Sequence, residues 1–411
     1  MYKYFIVLAL AVLPVSAAKA AEVSTEPVAG RLLAAWQQGD FPQVEELAEA
    51  EAKTGPQSGA TQSLLLLLDH VRGRYESAYQ KFGALPKAAK LRKDVQRAVV
   101  DSLIHLGRYP EALRIVNKYD FKKSWYRPVL KKLIKKPVDL AAAAPQVLKF
   151  TEGSSLDPYM PAVEGRLTSA AGKVYEGPIR LDTGGEFLHV SGARAEELGL
   201  ELAACQQGMQ AENSTRTCWS QVDLRLGDIV GRNIPVVVIY SLPAGFQPIL
   251  GTNVLERFKT EIDYPGKQLV LYPAAGAFPP TSKTCRQVPF YMWADHYMFA
   301  KGRFGGRRDL NFFVDTGLVA VGRDMRQAAV KVATEDLLAW GIQAPEKIFD
   351  PKADIGLGEL AQPGLLVIHS PLANVESDFG GVRIHGLLGH AWYKNYLWRI
   401  DFEKRQYEFC D

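Results

Sequence analysis

A chain of 411 residues with 47% hydrophobic and 10% aromatic content is long enough to build more than one core. Its net charge of +4 is small for this length, which removes the electrostatic ground for a nucleic-acid partner.

Residues 1–20 read as a secretory signal, with Lys3 as the positive start, an apolar run from Phe5 to Val15, and Ala18-Lys19-Ala20 as a small-x-small cleavage site. The run is too short to span a bilayer and no other stretch is longer, so no transmembrane anchor is expected. The mature chain is expected to be soluble and exported, periplasmic or secreted. Cys205, Cys218, Cys285 and Cys410 are then expected to be paired.

Residues 26–125 are helical in pattern. Gly39-Asp40-Phe41, Gly73-Arg74-Tyr75 and Gly107-Arg108-Tyr109 recur every 34 residues, each followed at one offset by a small or β-branched residue, Val44, Ala78 or Ala112. This spacing resembles tetratricopeptide repeats, in which Gly and an aromatic form the tight turn between paired helices. A solenoid of this kind implies either a protein partner or a brace for the rest of the chain.

Residues 126–157 read as a junction or linker, punctuated by Pro128, Pro137 and Pro145, with Ala141 to Ala144 able to continue a helix. The pairs Lys131-Lys132 and Lys135-Lys136 read as the solvated face of a helix. From there the texture changes to short β-rich runs with glycine turns, such as Trp219 to Leu226, Gly227-Asp228 and Ile234 to Tyr240. Two all-β units are expected, 158–274 and 283–411, joined by the Ala-, Gly- and Pro-rich stretch Pro273 to Pro280.

The two units repeat one another. Leu181-Asp182-Thr183-Gly184-Gly185 has its echo in Val314-Asp315-Thr316-Gly317-Leu318, and an apolar run delivers each aspartate onto a Thr-Gly turn. Ile249-Leu250-Gly251 lies downstream of the first and Leu387-Leu388-Gly389 downstream of the second, at similar separations from Asp182 and Asp315. Ile-Asp follows each of these glycines at one and the same offset, ending on Asp263 and Asp401, and an aromatic strand closes each unit. Upstream, Gly165-Arg166-Leu167 matches Gly302-Arg303-Phe304. Four anchors in one order define an internal duplication.

On these residues the first unit resembles a retropepsin-like aspartic protease lobe and the second a more diverged copy. Together, over the β-rich part of the chain through to its end, they resemble the two-lobed pepsin plan. The resemblance implies a multidomain chain, helical repeats followed by an all-β two-lobed acid-protease fold, acting as an exported aspartic endopeptidase on peptide or protein substrates. Asp182 and Asp315 would be the catalytic carboxylates, sharing one proton and holding one water, with no metal and no cofactor. Thr183 and Thr316 would lock the turns together, and Gly184 and Gly317 would let them approach. A flap hairpin is implied between about Ala203 and Trp219, with Gly208 and Met209 near its tip and the disulfide Cys205–Cys218 at its base. Cys285–Cys410 would tie the first strand of the second lobe to its last.

The chain departs from the pattern at Gly185 and Leu318, where pepsins place Ser or Thr, at His390-Ala391, which faces Thr252-Asn253, and in lacking the flap tyrosine. Without hydroxyl donors to the anions the dyad is expected to titrate higher than in pepsin, giving weakly acidic to neutral activity. Gly185→Ser is expected to shift both pH limbs downward. The rival expectation is a catalytically inactive peptide-binding scaffold. No nucleophile elbow, P-loop, His-Glu-x-x-His or Cys-x-x-Cys is present. His385 and His390 read as structural, and Gly356-x-Gly358-x-x-Ala361 as a hairpin rather than a dinucleotide loop.

Overall fold

The computed structural model describes residues 11–12, 27–119, 126–151, 160–210, 213–318, 320–321, 327–372 and 378–411. The expected signal segment lies outside them, apart from the two-residue strand Ala11–Val12, which pairs antiparallel with Met209 and Gln210.

The first part is helical: α1 (Pro27–Gln37), α2 (Phe41–Thr54), α3 (Gly59–Val71), α4 (Tyr75–Ala84), α5 (Lys87–Lys90), α6 (Lys93–His105), α7 (Tyr109–Lys118) and α8 (Tyr126–Lys135). The turns of α1–α2, α3–α4 and α6–α7 are built alike. Gly39, Gly73 and Gly107 adopt φ of 63°, 74° and 69°, a left-handed conformation in which a side chain is strained. The residue that follows each turn begins the next helix, and Asp40 caps α2 by accepting from Gln43 N–H at 3.1 Å. Val44, Ala78 and Ala112 are fully buried, so the helices of each pair approach closely at those small residues.

The supposed junction is structured. Helix α8 continues the helical part past residue 125, with Val129, Leu130 and Leu133 buried and Lys131, Lys135 and Lys136 exposed. Strand Gln146–Thr151 joins a sheet. Residues 141–144 form no helix; beside a run of prolines and a following strand, alanine propensity alone does not nucleate one.

The rest is β-rich and the duplication is visible in its hydrogen bonding. Strand Val174–Leu181 runs parallel to Ile249–Leu250, with Leu181 opposite Leu250. Strand Arg307–Val314 runs parallel to Gly386–Leu388, with Val314 opposite Leu388. In each unit a further parallel pair follows, Leu188–Ser191 with Ile229–Ile239 and Gln327–Ala333 with Leu366–Ser370. A six-stranded antiparallel sheet then joins the units in the order Gln146–Thr151, Gln268–Pro273, Phe258–Asp263, Leu397–Asp401, Gln406–Cys410, Cys285–Trp293. Phe258–Asp263 and Leu397–Asp401, the paired Ile-Asp strands of the two units, lie side by side at its centre. Ion pairs run along this sheet, Lys259–Asp401 and Arg399–Glu261, each at 2.7 Å.

Cys205 bonds Cys218 and Cys285 bonds Cys410, in both cases across directly paired strand positions. Two disulfides fit an exported protein in an oxidising compartment. Among the described residues no helix is long and apolar enough to cross a membrane. Ile355–Leu357 turns back to bridge Gln362, so Gly356 and Gly358 lie in a hairpin as expected.

The helices are not a free arm. They share one apolar cluster with Trp219, Trp293, Tyr297, Phe299, Phe313 and Leu318 of the β region. Polar contacts complete this joint. Trp36 Nε1 donates to Gly380 O at 2.8 Å, Arg383 N to Gln37 O at 2.7 Å, and Ala294 N to His70 Nε2 at 3.1 Å. Because His70 Nε2 accepts, its proton sits on Nδ1, facing Ser102 Oγ at 2.9 Å; burial holds this imidazole neutral, far below its usual range.

Candidate active site

Two apolar strands end at Leu181 and Val314, and each hands an aspartate to a turn in the middle of the β region. Asp182 N–H donates to Leu250 O at 3.0 Å and Asp315 N–H to Leu388 O at 2.9 Å, so the parallel partner strands pin both backbones. The turns then grip one another. Thr183 N–H donates to Thr316 Oγ1 at 2.9 Å, and Thr316 N–H donates to Thr183 Oγ1 at 3.1 Å. The same hydroxyls reach Val314 O and Leu181 O at 3.4 and 3.3 Å. Both threonines are fully buried.

Glycine is required where the turns meet. A Cβ on Gly317 would fall 2.6 Å from Asp182 Oδ1, and one on Gly184 would overlap Asp315 Oδ1. The two carboxyl groups are thus brought together and hydrogen-bond one another. Gly184 N–H donates to Asp182 Oδ1 at 2.8 Å and Gly317 N–H to Asp315 Oδ1 at 2.9 Å, a matched pair of backbone donors.

The electrostatics separate what the duplication makes alike. Burial raises both carboxyls, each only 3% exposed. Asp315 is driven far up by burial, by the charge of Asp182 and by donating its proton to Asp182. Asp182 rises less, because burial is opposed by Gly184 N–H, by the bond from Asp315 and by the charge of His296. Asp315 therefore keeps the proton and Asp182 loses it first.

The departures are accommodated. Leu318 is buried in the cluster shared with the helices, and its N–H is one of the donors to the Asp315 carboxyl. A Cβ at Gly185 would lie 3.3 Å from Asp182 Oδ2 and 3.2 Å from His189 Cε1. Burial lowers His189 to about 4, helped by the charge of His296, so it is neutral beside the dyad. His390 begins a short helix, packs on Tyr264 at 5.2 Å and is lowered by burial to about 4; His385 accepts from Asn311 N–H at 3.0 Å. Both are structural.

Strands Ala204–Gln210 and Asn213–Leu226 form the hairpin expected as a flap, with Cys205 opposite Cys218. Gly208 and Met209 lie on its first strand near the bend; their side chains lie outside the described part.

One group at the site had no sequence expectation. Glu186, next to Gly185, meets Asp295 and His296 of the second unit, with polar atoms all within 4.8 Å. Glu186 and Asp295 stand in different units, far apart in the chain, which hides this meeting from any local pattern. The adjacency of Glu186 to the motif was the one available signal. No metal or cofactor site is defined by these side chains, which satisfy one another: His296 Nδ1 donates to Asp295 Oδ1 at 2.7 Å and Glu186 hydrogen-bonds Asp295.

The sequence matches no protein-family model and no curated protein.

Proposed function

We propose that the chain is an exported aspartic endopeptidase with a two-lobed acid-protease fold and tetratricopeptide-like repeats that brace it. The observation that carries this reading is the mutual grip of two Asp-Thr-Gly turns, with one carboxyl bonded to the other. Such a pair holds one proton and one negative charge, which is what adding water to a peptide carbonyl needs.

In this mechanism the Asp182 carboxylate takes a proton from a water as its oxygen attacks the carbonyl carbon. Asp315 gives its proton to the carbonyl oxygen, leaving a neutral gem-diol. The C–N bond then breaks as Asp182 returns its proton to the amine nitrogen and Asp315 recovers one from a diol hydroxyl. Both carboxyls end in their starting states. Substrate would lie along the free edge of Ala204–Gln210, where Ala11–Val12 already pairs as an added strand.

The rival, a scaffold that holds peptide without cutting it, draws support from the 3% exposure of each aspartate, which leaves little access unless the hairpin moves. Incubation with a peptide library, with and without a statine-type transition-state mimic, separates the two. Cleavage sensitive to the mimic and lost in Asp182→Asn and Asp315→Asn supports the peptidase. Binding without cleavage, or activity persisting in either purified mutant, refutes it.

A further inference from the structure

The two halves of the dyad are built from duplicated turns with matched threonines and matched backbone donors, so the turns themselves give neither aspartate a fixed role. The asymmetry enters from Glu186, Asp295 and His296. His296 is 5% exposed, lies with its ring centroid 3.8 Å from that of Tyr297, and is held by Asp295 Oδ1 at 2.7 Å. Asp295 is held in turn by Glu186, which follows the first turn directly. The Thr252 hydroxyl ties the two loops, lying 3.0 Å from Gly185 O, 3.3 Å from Glu186 O and 3.0 Å from Asp295 O.

The charges around this trio are few. Arg97 and Asp101 of α6 act on Glu186 and Asp295, and His105 acts on Asp295. Asp182, His189 and Asp378 feel His296. The trio therefore forms a chain from Glu186 through Asp295 to His296, with the imidazole end beside Asp182.

Resting on the peptidase reading, we propose that His296 is a positioning residue for the dyad: gripped by Asp295, which the protonated Glu186 holds, its imidazolium makes Asp182 the base and leaves Asp315 the acid. A cation within a few ångströms of one carboxyl favours that carboxyl's anion. In a pair that shares one proton, a bias of this size chooses which oxygen carries it. At weakly acidic pH an imidazole is protonated, so the device acts in the range where the dyad is singly ionised.

The test is a carboxyl-carbon NMR titration of Asp182, its resonance identified by loss in Asp182→Asn, run beside the pH profile of kcat/KM. In His296→Gln the Asp182 titration is expected to move up by about one pH unit, and the acid limb of kcat/KM with it, while KM changes little. Asp295→Asn should move both in the same direction. Glu186→Gln still donates a hydrogen bond to Asp295 and should stay near wild type, whereas a purely structural trio would make Glu186→Gln and Asp295→Asn alike. If His296→Gln does not fold, Asp295→Asn and Glu186→Gln carry the same comparison. An Asp182 titration unmoved in the folded variants overturns the role of His296 even in an active peptidase. The NMR readout does not depend on hydrolysis, so a shifted titration in a protein that cuts no peptide would instead reject the peptidase reading alone.

Discussion

Gly185→Ser probes the dyad with one added hydroxyl. Gly185 does not need a left-handed conformation, and the nearest atoms to a Cβ there are His189 Cε1 at 3.2 Å and Asp182 Oδ2 at 3.3 Å. The His189 ring must give by a few tenths of an ångström; the hydroxyl, one bond further out, then reaches Asp182. A hydrogen bond to a charged carboxylate contributes about 1.5 kcal/mol or more, and 1.36 kcal/mol corresponds to about one pKa unit. Stabilising the anion lowers the pKa of Asp182, so the acid limb of kcat/KM should move down by about one pH unit. The sequence alone predicts that both limbs move. The structure narrows this: with Asp182 ionised first, the new bond is present before and after Asp315 loses its proton, so the basic limb should move little. The assay is kcat/KM against pH for wild type, Gly185→Ser and Gly185→Ala, the alanine carrying the steric change without the donor. An acid limb that stays or rises in the serine variant, or moves equally in the alanine variant, refutes the reasoning.

Thr183→Val keeps the shape of a fully buried side chain but leaves Thr316 N–H without its acceptor, and should lower unfolding free energy by about 1–3 kcal/mol in denaturant titration. Thr316→Val should cost the same, and the double variant less than the sum, since both remove one network. His105 sits 3.2 Å from Glu256; burial would lower the imidazole, but Glu256 and Ala294 O raise it overall, while His105 holds Glu256 below its usual value against burial. The Glu256 share of stability is present above about pH 4.5 and the His105 share below about 6.5, fading as pH rises through its raised value. His105→Gln should therefore cost about 3 kcal/mol near pH 5.5 and clearly less at pH 9; an equal cost at both contradicts the pairing. The disulfides close loops of 13 and 125 residues, so removing Cys285–Cys410 should cost about 5 kcal/mol against about 3 for Cys205–Cys218 in thermal scans of double alanine variants.

The turns, caps and strand ends were legible because their causes act over a few residues. Glycine at 39, 73 and 107 permits a left-handed turn, and the 34-residue spacing of these turns is already present in the chain. Repetition of Asp-Thr-Gly with its downstream anchors likewise marked out two units, and an echo of this kind needs no coordinates to be seen. The paired cysteines followed from the expectation that the first and last strands of the second unit are neighbours, and they are. Residues 141–144 show the limit of local propensity, since four alanines there form no helix. Only the tertiary structure decided that the helices share a core with the β region, that Glu186 meets Asp295 and His296, and that Asp315 rather than Asp182 retains the proton. Desolvation and Coulomb forces depend on every atom within several ångströms, whatever its place in the chain, so two turns identical in sequence acquire different chemistry once folded.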